Sequence, residues 1–202
     1  MPEVMLQNYK SRRNSARLVE REGVRFVVKT FREEETFQRE LQIYESLRET
    51  QLPCARVLGI ADKTLMLSEL PGKTLVDCLE QQEETGQPQW DVWEKLVVWL
   101  VNLQRITGFV MTDVNLRNFL YDEETKTLYG LDFEECNRGS TAISAATAAA
   151  FIRTYKPAYT PLKLEISQYI IKMFAYILEL EVDTLLLETE RQEEIIKKRR
   201  NQ

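Results

Sequence analysis

The sequence predicts an α+β protein of two unequal lobes: a small antiparallel sheet with one helix over residues 1–70, and a short, mainly helical lobe over residues 71–202. Three observations carry that reading. Segments of β-branched and alternating residues concentrate in the first 70 positions, Pro71-Gly72 interrupts the pattern, and helical periodicity dominates from Thr74 onward. A chain of 202 residues, at about 150 per domain, leaves room for one domain or two lobes sharing a core.

Ala16 to Glu20 and Val24 to Phe31 read as strands joined by a Glu22-Gly23 turn. Val24, Phe26, Val28 and Thr30 share one face, and Val27, Lys29 and Phe31 the other. Glu33 to Arg48 follows with helical spacing, Phe37, Leu41, Tyr44 and Leu47 forming one stripe. Arg56 to Ile60 and Thr64 to Leu70 read as two further strands. Beyond Pro71-Gly72 the sequence predicts a helix over Thr74 to Gln82, a loop at Gly86-Gln87-Pro88, and a buried helix over Trp90 to Arg105 that takes its three tryptophans into the core. Phe119 to Tyr121 and Thr127 to Phe133 form a short hairpin. Helices at Ala142 to Tyr155, Leu162 to Leu180 and Asp183 to Arg200 complete the pattern, the last as an exposed, fraying helix with Glu193 and Lys197 at i,i+4 spacing.

Composition excludes several chemistries. Histidine is absent, which removes every Ser-His-Asp or Cys-His arrangement and every His-ligated metal. The three cysteines are odd in number and widely spaced, so neither a disulfide framework nor a zinc site is implied. The amino-terminal residues have no apolar core of a secretion signal, and the apolar run from Tyr169 to Leu180 is short and carries Lys172 and Glu179. The expectation is a cytoplasmic protein in a reducing compartment, with no membrane span. The net charge of −5 hides a local reversal. Residues 1–32 hold eight basic and three acidic side chains, and residues 33–50 six Glu and two Arg. A basic amino-terminal segment beside an acidic helix suits an anionic ligand.

Two constellations carry chemistry. On an ideal helical wheel Glu40 falls inside the apolar arc of its helix, so its carboxylate must find a partner, and the preceding strand offers Lys29. The second is Thr112-Asp113-Val114-Asn115-Leu116-Arg117-Asn118 ahead of the hairpin, with Leu131-Asp132-Phe133-Glu134-Glu135 beyond it. The hairpin makes Asn118 and Asp132 neighbours, giving oxygen ligands for a hard cation such as Mg²⁺. Taken alone, either pattern also fits a solvated strand lysine or a loop capped by Asp and Asn.

Their order, strand Lys, helix Glu, Pro-Gly connector, buried helix, D-x-x-x-x-N loop, hairpin and D-F, resembles the protein-kinase-like superfamily from about residue 10 to 180. It is similar above all to the aminoglycoside and choline phosphotransferase branch and to the small atypical kinases of the KEOPS tRNA-modification complex. The resemblance implies a bilobal protein-kinase-like fold that binds ATP and Mg²⁺. Lys29 would contact the α- and β-phosphates, held by Glu40; Asp113 would orient or deprotonate the acceptor hydroxyl, with Arg117 neutralising transferred charge; Asn118 and Asp132 would hold the metal. Leu67 to Gly72 would be the segment between lobes, Ser68 and Leu70 offering backbone groups to adenine beside Glu69. The chain departs from the family in three places. No glycine precedes Gly23, so Lys10 to Ser15, with Ser11, Asn14 and Ser15, would cover the phosphates. Met111 stands two before Asp113 where His is usual, and the second lobe is short.

Three functions follow from the resemblance: phosphoryl transfer from ATP to a hydroxyl of a small molecule or protein, nucleotide binding without transfer as a pseudokinase scaffold, and a KEOPS-like ATPase role in an RNA-modifying assembly. For the last, RNA is a partner that the basic run Lys197 to Arg200 would suit.

Overall fold

A computed structural model describes residues 3–9 and 14–200, the side chain of Arg200 excepted. Ser11, with Lys10, Arg12 and Arg13, lies outside the described residues.

The first lobe is an antiparallel sheet of order β1-β2-β3-β5-β4, formed by Val4–Tyr9, Ser15–Arg21, Val24–Thr30, Val57–Ala61 (β4) and Thr64–Ser68 (β5). Sequence reading missed β1: its side chains are all exposed, so no buried face imposes alternation on VMLQNY. Along β3, Phe26 and Val28 pack with Val19 and Met66 on one face, while Val27 faces the main core. That alternation carries Lys29 inward, toward α1 (Glu34–Leu47), whose buried stripe is Phe37, Glu40, Ile43, Tyr44 and Leu47.

Past Gly72 the chain enters β6 (Lys73–Thr74) and α2 (Leu75–Thr85), which starts on a capping box. The Thr74 hydroxyl accepts the Asp77 N–H at 3.2 Å, and the Asp77 carboxylate accepts the Thr74 N–H at 3.0 Å. Gly72, at φ 106°, passes so close to the Tyr121 carbonyl that a side chain would strike it. α3 (Trp90–Thr107) is the buried central helix, with Trp93 and Trp99 in the core and Trp90 half-buried against the Tyr169 ring. Each of the two core indoles finds an acceptor: Trp93 donates to Gln82 and Trp99 to the Pro53 carbonyl, both at 2.9 Å.

The loop–hairpin region holds β7 (Phe109–Met111), a 3-10 turn at Leu116–Asn118, β8 (Phe119–Asp122), β9 (Thr127–Gly130) and β10 (Cys136–Arg138). The second hairpin strand was expected to run to Phe133. It stops at Gly130 because Asp132 adopts φ 60°, which no strand accommodates. β7 and β10 pair with each other, two three-residue strands too short to show a period.

α4 (Thr141–Thr154) is apolar on every side because it is packed on every side, between α5 (Pro161–Leu178) and α6 (Val182–Arg200). Its run of alanines lets both neighbours approach closely. α6 corrects the sequence reading: Leu185 and Thr189 are fully buried and Glu193 and Ile196 nearly so, a spacing that lays one face of the helix along α4. Its polar composition is the solvent face, not fraying. Glu193 on the buried stripe receives the Arg153 guanidinium at 3.2 Å and the Tyr159 hydroxyl at 2.7 Å. Among the described residues no helix is long and apolar enough to cross a membrane.

Candidate active site in the cleft between sheet and helices

A cavity of about 900 Å³ opens where the inner face of the sheet meets the loop–hairpin region. One wall is β3. Lys29 Nζ donates to Glu40 Oε2 at 2.7 Å and to Asp132 Oδ1 at 2.6 Å, and lies 3.9 Å from Glu134 Oε2. Carboxylates from two segments far apart in sequence meet at one ammonium. Burial pulls that ammonium down, yet attraction and hydrogen bonds from Glu40 and Asp132 outweigh it, and its pKa ends above the ordinary lysine value.

Glu40 is fully buried. Burial pushes its carboxyl up to about 7, with Asp132 and Glu134 adding to the shift and Lys29 opposing it. The two directions fit one picture: Glu40, Asp132 and Glu134 lie within 4.8 Å of one another around a single ammonium, and protonating one of them relieves the surplus negative charge. Lys29 is therefore charged, and its buried partner Glu40 takes up a proton more readily than an ordinary glutamate. Glu40 Oε1 is buried with no hydrogen-bond partner. The surplus of anionic oxygens on Asp132 and Glu134, with Asn118 in the same cavity, is a donor set that a hard divalent cation would satisfy, so the residues present fit Mg²⁺.

Asp132 is placed by its neighbours. The Leu131 N–H donates to the Asn118 carbonyl at 2.8 Å, extending the hairpin one step past the Phe119–Gly130 pair, so that Asp132 follows the residue bonded to Asn118 and both line the cavity. Phe133 is buried between Tyr44 of α1 (centroids 4.9 Å, edge-on) and Trp99 of α3 (6.1 Å, stacked). Arg39 of α1 donates to the Glu134 carbonyl at 2.9 Å. The left-handed backbone of Asp132 costs about 1–3 kcal/mol and persists because these contacts on both sides determine it. Asn14 spans the cleft, its amide donating to the Glu134 carboxylate and its oxygen accepting the Arg32 N–H at 3.1 Å.

Asp113 stands on the opposite wall, in a loop held by its backbone. Ser144 of α4 donates to the Met111 carbonyl at 2.7 Å, and the Thr112 hydroxyl donates to the Glu135 carbonyl at 2.7 Å. Met111 itself is core, and the tie from this loop to the D-F-E segment runs through Thr112. The Asp113 side chain is 43% exposed and accepts from Arg199 Nη1 at 3.1 Å. The Arg117 guanidinium lies 5.5 Å from the Tyr155 ring, and that hydroxyl donates to Glu80 at 2.6 Å.

The cavity thus gathers Asn14, Lys29, Glu40, Ser68, Glu69, Leu70, Asp113, Arg117, Asn118 and Asp132. Ser15 is not among them: it opens β2, exposed and opposite Thr30, and Ala16 lines the wall in its place. The Ser68 N–H is committed to the Arg56 carbonyl at 2.9 Å, so this amide is not a donor for a base, and Leu70 is left as the segment's candidate. Glu69 pairs with Arg25 at 2.7 Å on the rim. Sequence reading missed the places of Tyr9, Arg39 and Arg199 around the cleft. The first belongs to an unpatterned strand, the other two to helix faces whose contacts depend on tertiary packing.

This architecture is the protein-kinase-like fold. The chain is similar to the solved structure of the Cydia pomonella granulovirus kinase PK-1, with a TM-score of 0.60 and 16% identity, covering 82% of this chain and 68% of that one. No family model matches the chain. No curated protein matches it either.

Proposed function

We propose that the protein is an ATP- and Mg²⁺-dependent phosphotransferase that moves the γ-phosphoryl group to a hydroxyl of a small molecule or protein. The observation that carries this is the meeting of Lys29, Glu40 and Asp132 in the cavity that also holds Asp113 and Asn118. Lys29 is placed to bind phosphate oxygens, with Glu40 fixing its direction. Asn118 and Asp132, with Glu134 beside them, would hold the metal, which when bound supplies neutralising charge on the phosphate oxygens. Asp113, across the cleft and partly open to solvent, accepts the hydrogen bond of the acceptor hydroxyl and aligns it for in-line attack. Arg117, which lines the same cavity, would help neutralise the transferred phosphoryl group. Phosphoryl transfer depends on positioning and electrostatics, so the absence of histidine is no obstacle. We also place the protein in the cytoplasm, a reading supported by its three unpaired cysteines.

The test is product formation. With γ-labelled ATP and magnesium, the wild type releases ADP and labels an acceptor from a panel of sugars, aminoalcohols and protein hydroxyls, and Asp113→Ala does neither. A wild type that binds nucleotide but yields no ADP would instead establish the scaffold reading, which the engagement of Asp113 by Arg199 favours.

A further inference from the structure

The basic run at the end of α6 turns one of its residues into the cleft. Among the described side chains of α6, Ile196 is the last buried one. Three residues on, along the same face, Arg199 reaches the cavity and its guanidinium donates to Asp113 Oδ2 at 3.1 Å. α4 links the two partners. Ser144 and Thr147 on α4 hold the carbonyls of Met111 and Thr112, and the α6 face running along α4 delivers Arg199 from the other side.

We propose that Arg199 is an internal latch on the acceptor side of the site, occupying the Asp113 carboxylate until an acceptor displaces it. The inference rests on the phosphotransferase reading. A carboxylate that already accepts from a guanidinium is a poorer partner for an incoming hydroxyl, in charge and in space. The latch is also made to open: Arg199 is 62% exposed, lies beyond the last buried residue of its helix, and can swing without unpacking α6 from α4. Lys197 is held elsewhere, by Glu193 at 3.6 Å and over the Tyr159 ring, so the turn leaves Arg199 as the side chain directed at Asp113. An exposed ion pair of this kind weakens occupancy of a site by a small factor, which suits modulation and not a permanent block.

The experiment compares the full chain with Arg199→Ala and Arg199→Glu, reading magnesium-dependent ATP hydrolysis and amide exchange of residues 197–199. Both variants are expected to hydrolyse ATP about two- to fivefold faster than wild type at low ionic strength. The ratio should close toward one as added salt screens the pair in the wild type. Exchange of 197–199 should rise in both variants and equally in Asp113→Asn. Hydrolysis unchanged or slower in Arg199→Ala overturns the latch while leaving the phosphotransferase intact. No hydrolysis by any variant, with exchange still responding to Asp113→Asn, overturns the latch together with the phosphotransferase reading and leaves the contact a structural tie.

Discussion

The two walls of the cleft are built in opposite ways. At the Lys29 wall the central charges are held from several sides: Glu40 is inaccessible, Asp132 pairs with Lys29 beside a Phe133 gripped by Tyr44 and Trp99, and Arg39 and Asn14 hold Glu134. At the Asp113 wall the backbone is braced by Ser144 and Thr112, but the carboxylate and its partner Arg199 face solvent. The difference teaches a division of labour. On the proposed phosphotransferase reading, MgATP would be held by the preset, low-dielectric cluster, and the acceptor would meet groups kept in place by weak, exposed contacts.

The largest expected effect lies in the clamp beneath the first wall. Phe133→Ala removes the ring that joins α1 to α3 and should cost about 3–5 kcal/mol in urea unfolding, with loss of the Asp132 conformation. A cost below 1 kcal/mol would mean that the two helices do not share this side chain.

Next is Lys29→Met, which leaves Glu40 buried without a cation and should cost about 3 kcal/mol at pH 8. In metal-free buffer the penalty should shrink as pH falls. Burial raises the folded-state carboxyl of Glu40 to about 7, above roughly 4.3 in an unfolded chain. The folded protein therefore holds a proton that the unfolded one lacks, and the stability from that proton is present at low pH and lost as pH rises through about 7. Removing the ammonium extends the window upward. A penalty independent of pH between 5 and 8 would show that Glu40 does not titrate there.

The second wall should behave otherwise. Asp113→Asn should change stability by less than about 1 kcal/mol, because its charged partner Arg199 is exposed. Last is the reactivity of the thiols. Burial pushes Cys54 and Cys78 up to about 11 and Cys136 higher still, so a thiol reagent at pH 8 should label the folded chain far more slowly than the unfolded one.

The sequence showed the first wall more fully than the second, for a physical reason. Lys29 follows from strand alternation and Glu40 from its place inside an apolar arc, and a buried charge in an apolar pattern advertises its need for a partner. Asn118 and Asp132 follow from the fold-back of a hairpin. Those are local rules. Arg199 could not be found that way: a basic residue at the end of a charged helix looks solvated until α6 is known to lie along α4. The exposed strand β1 and the short β7–β10 pair lack periodicity, and Ser15 was placed by counting along a loop whose last residue turned into β2.

Isothermal titration of MgATP into the wild type, Lys29→Met, Asp132→Ala and Asp113→Ala tests the division between the walls most directly. The first two variants should lose affinity at least tenfold, and Asp113→Ala should bind as the wild type does. Equal affinities in all four proteins, or an equal loss from Asp113→Ala, would contradict that division.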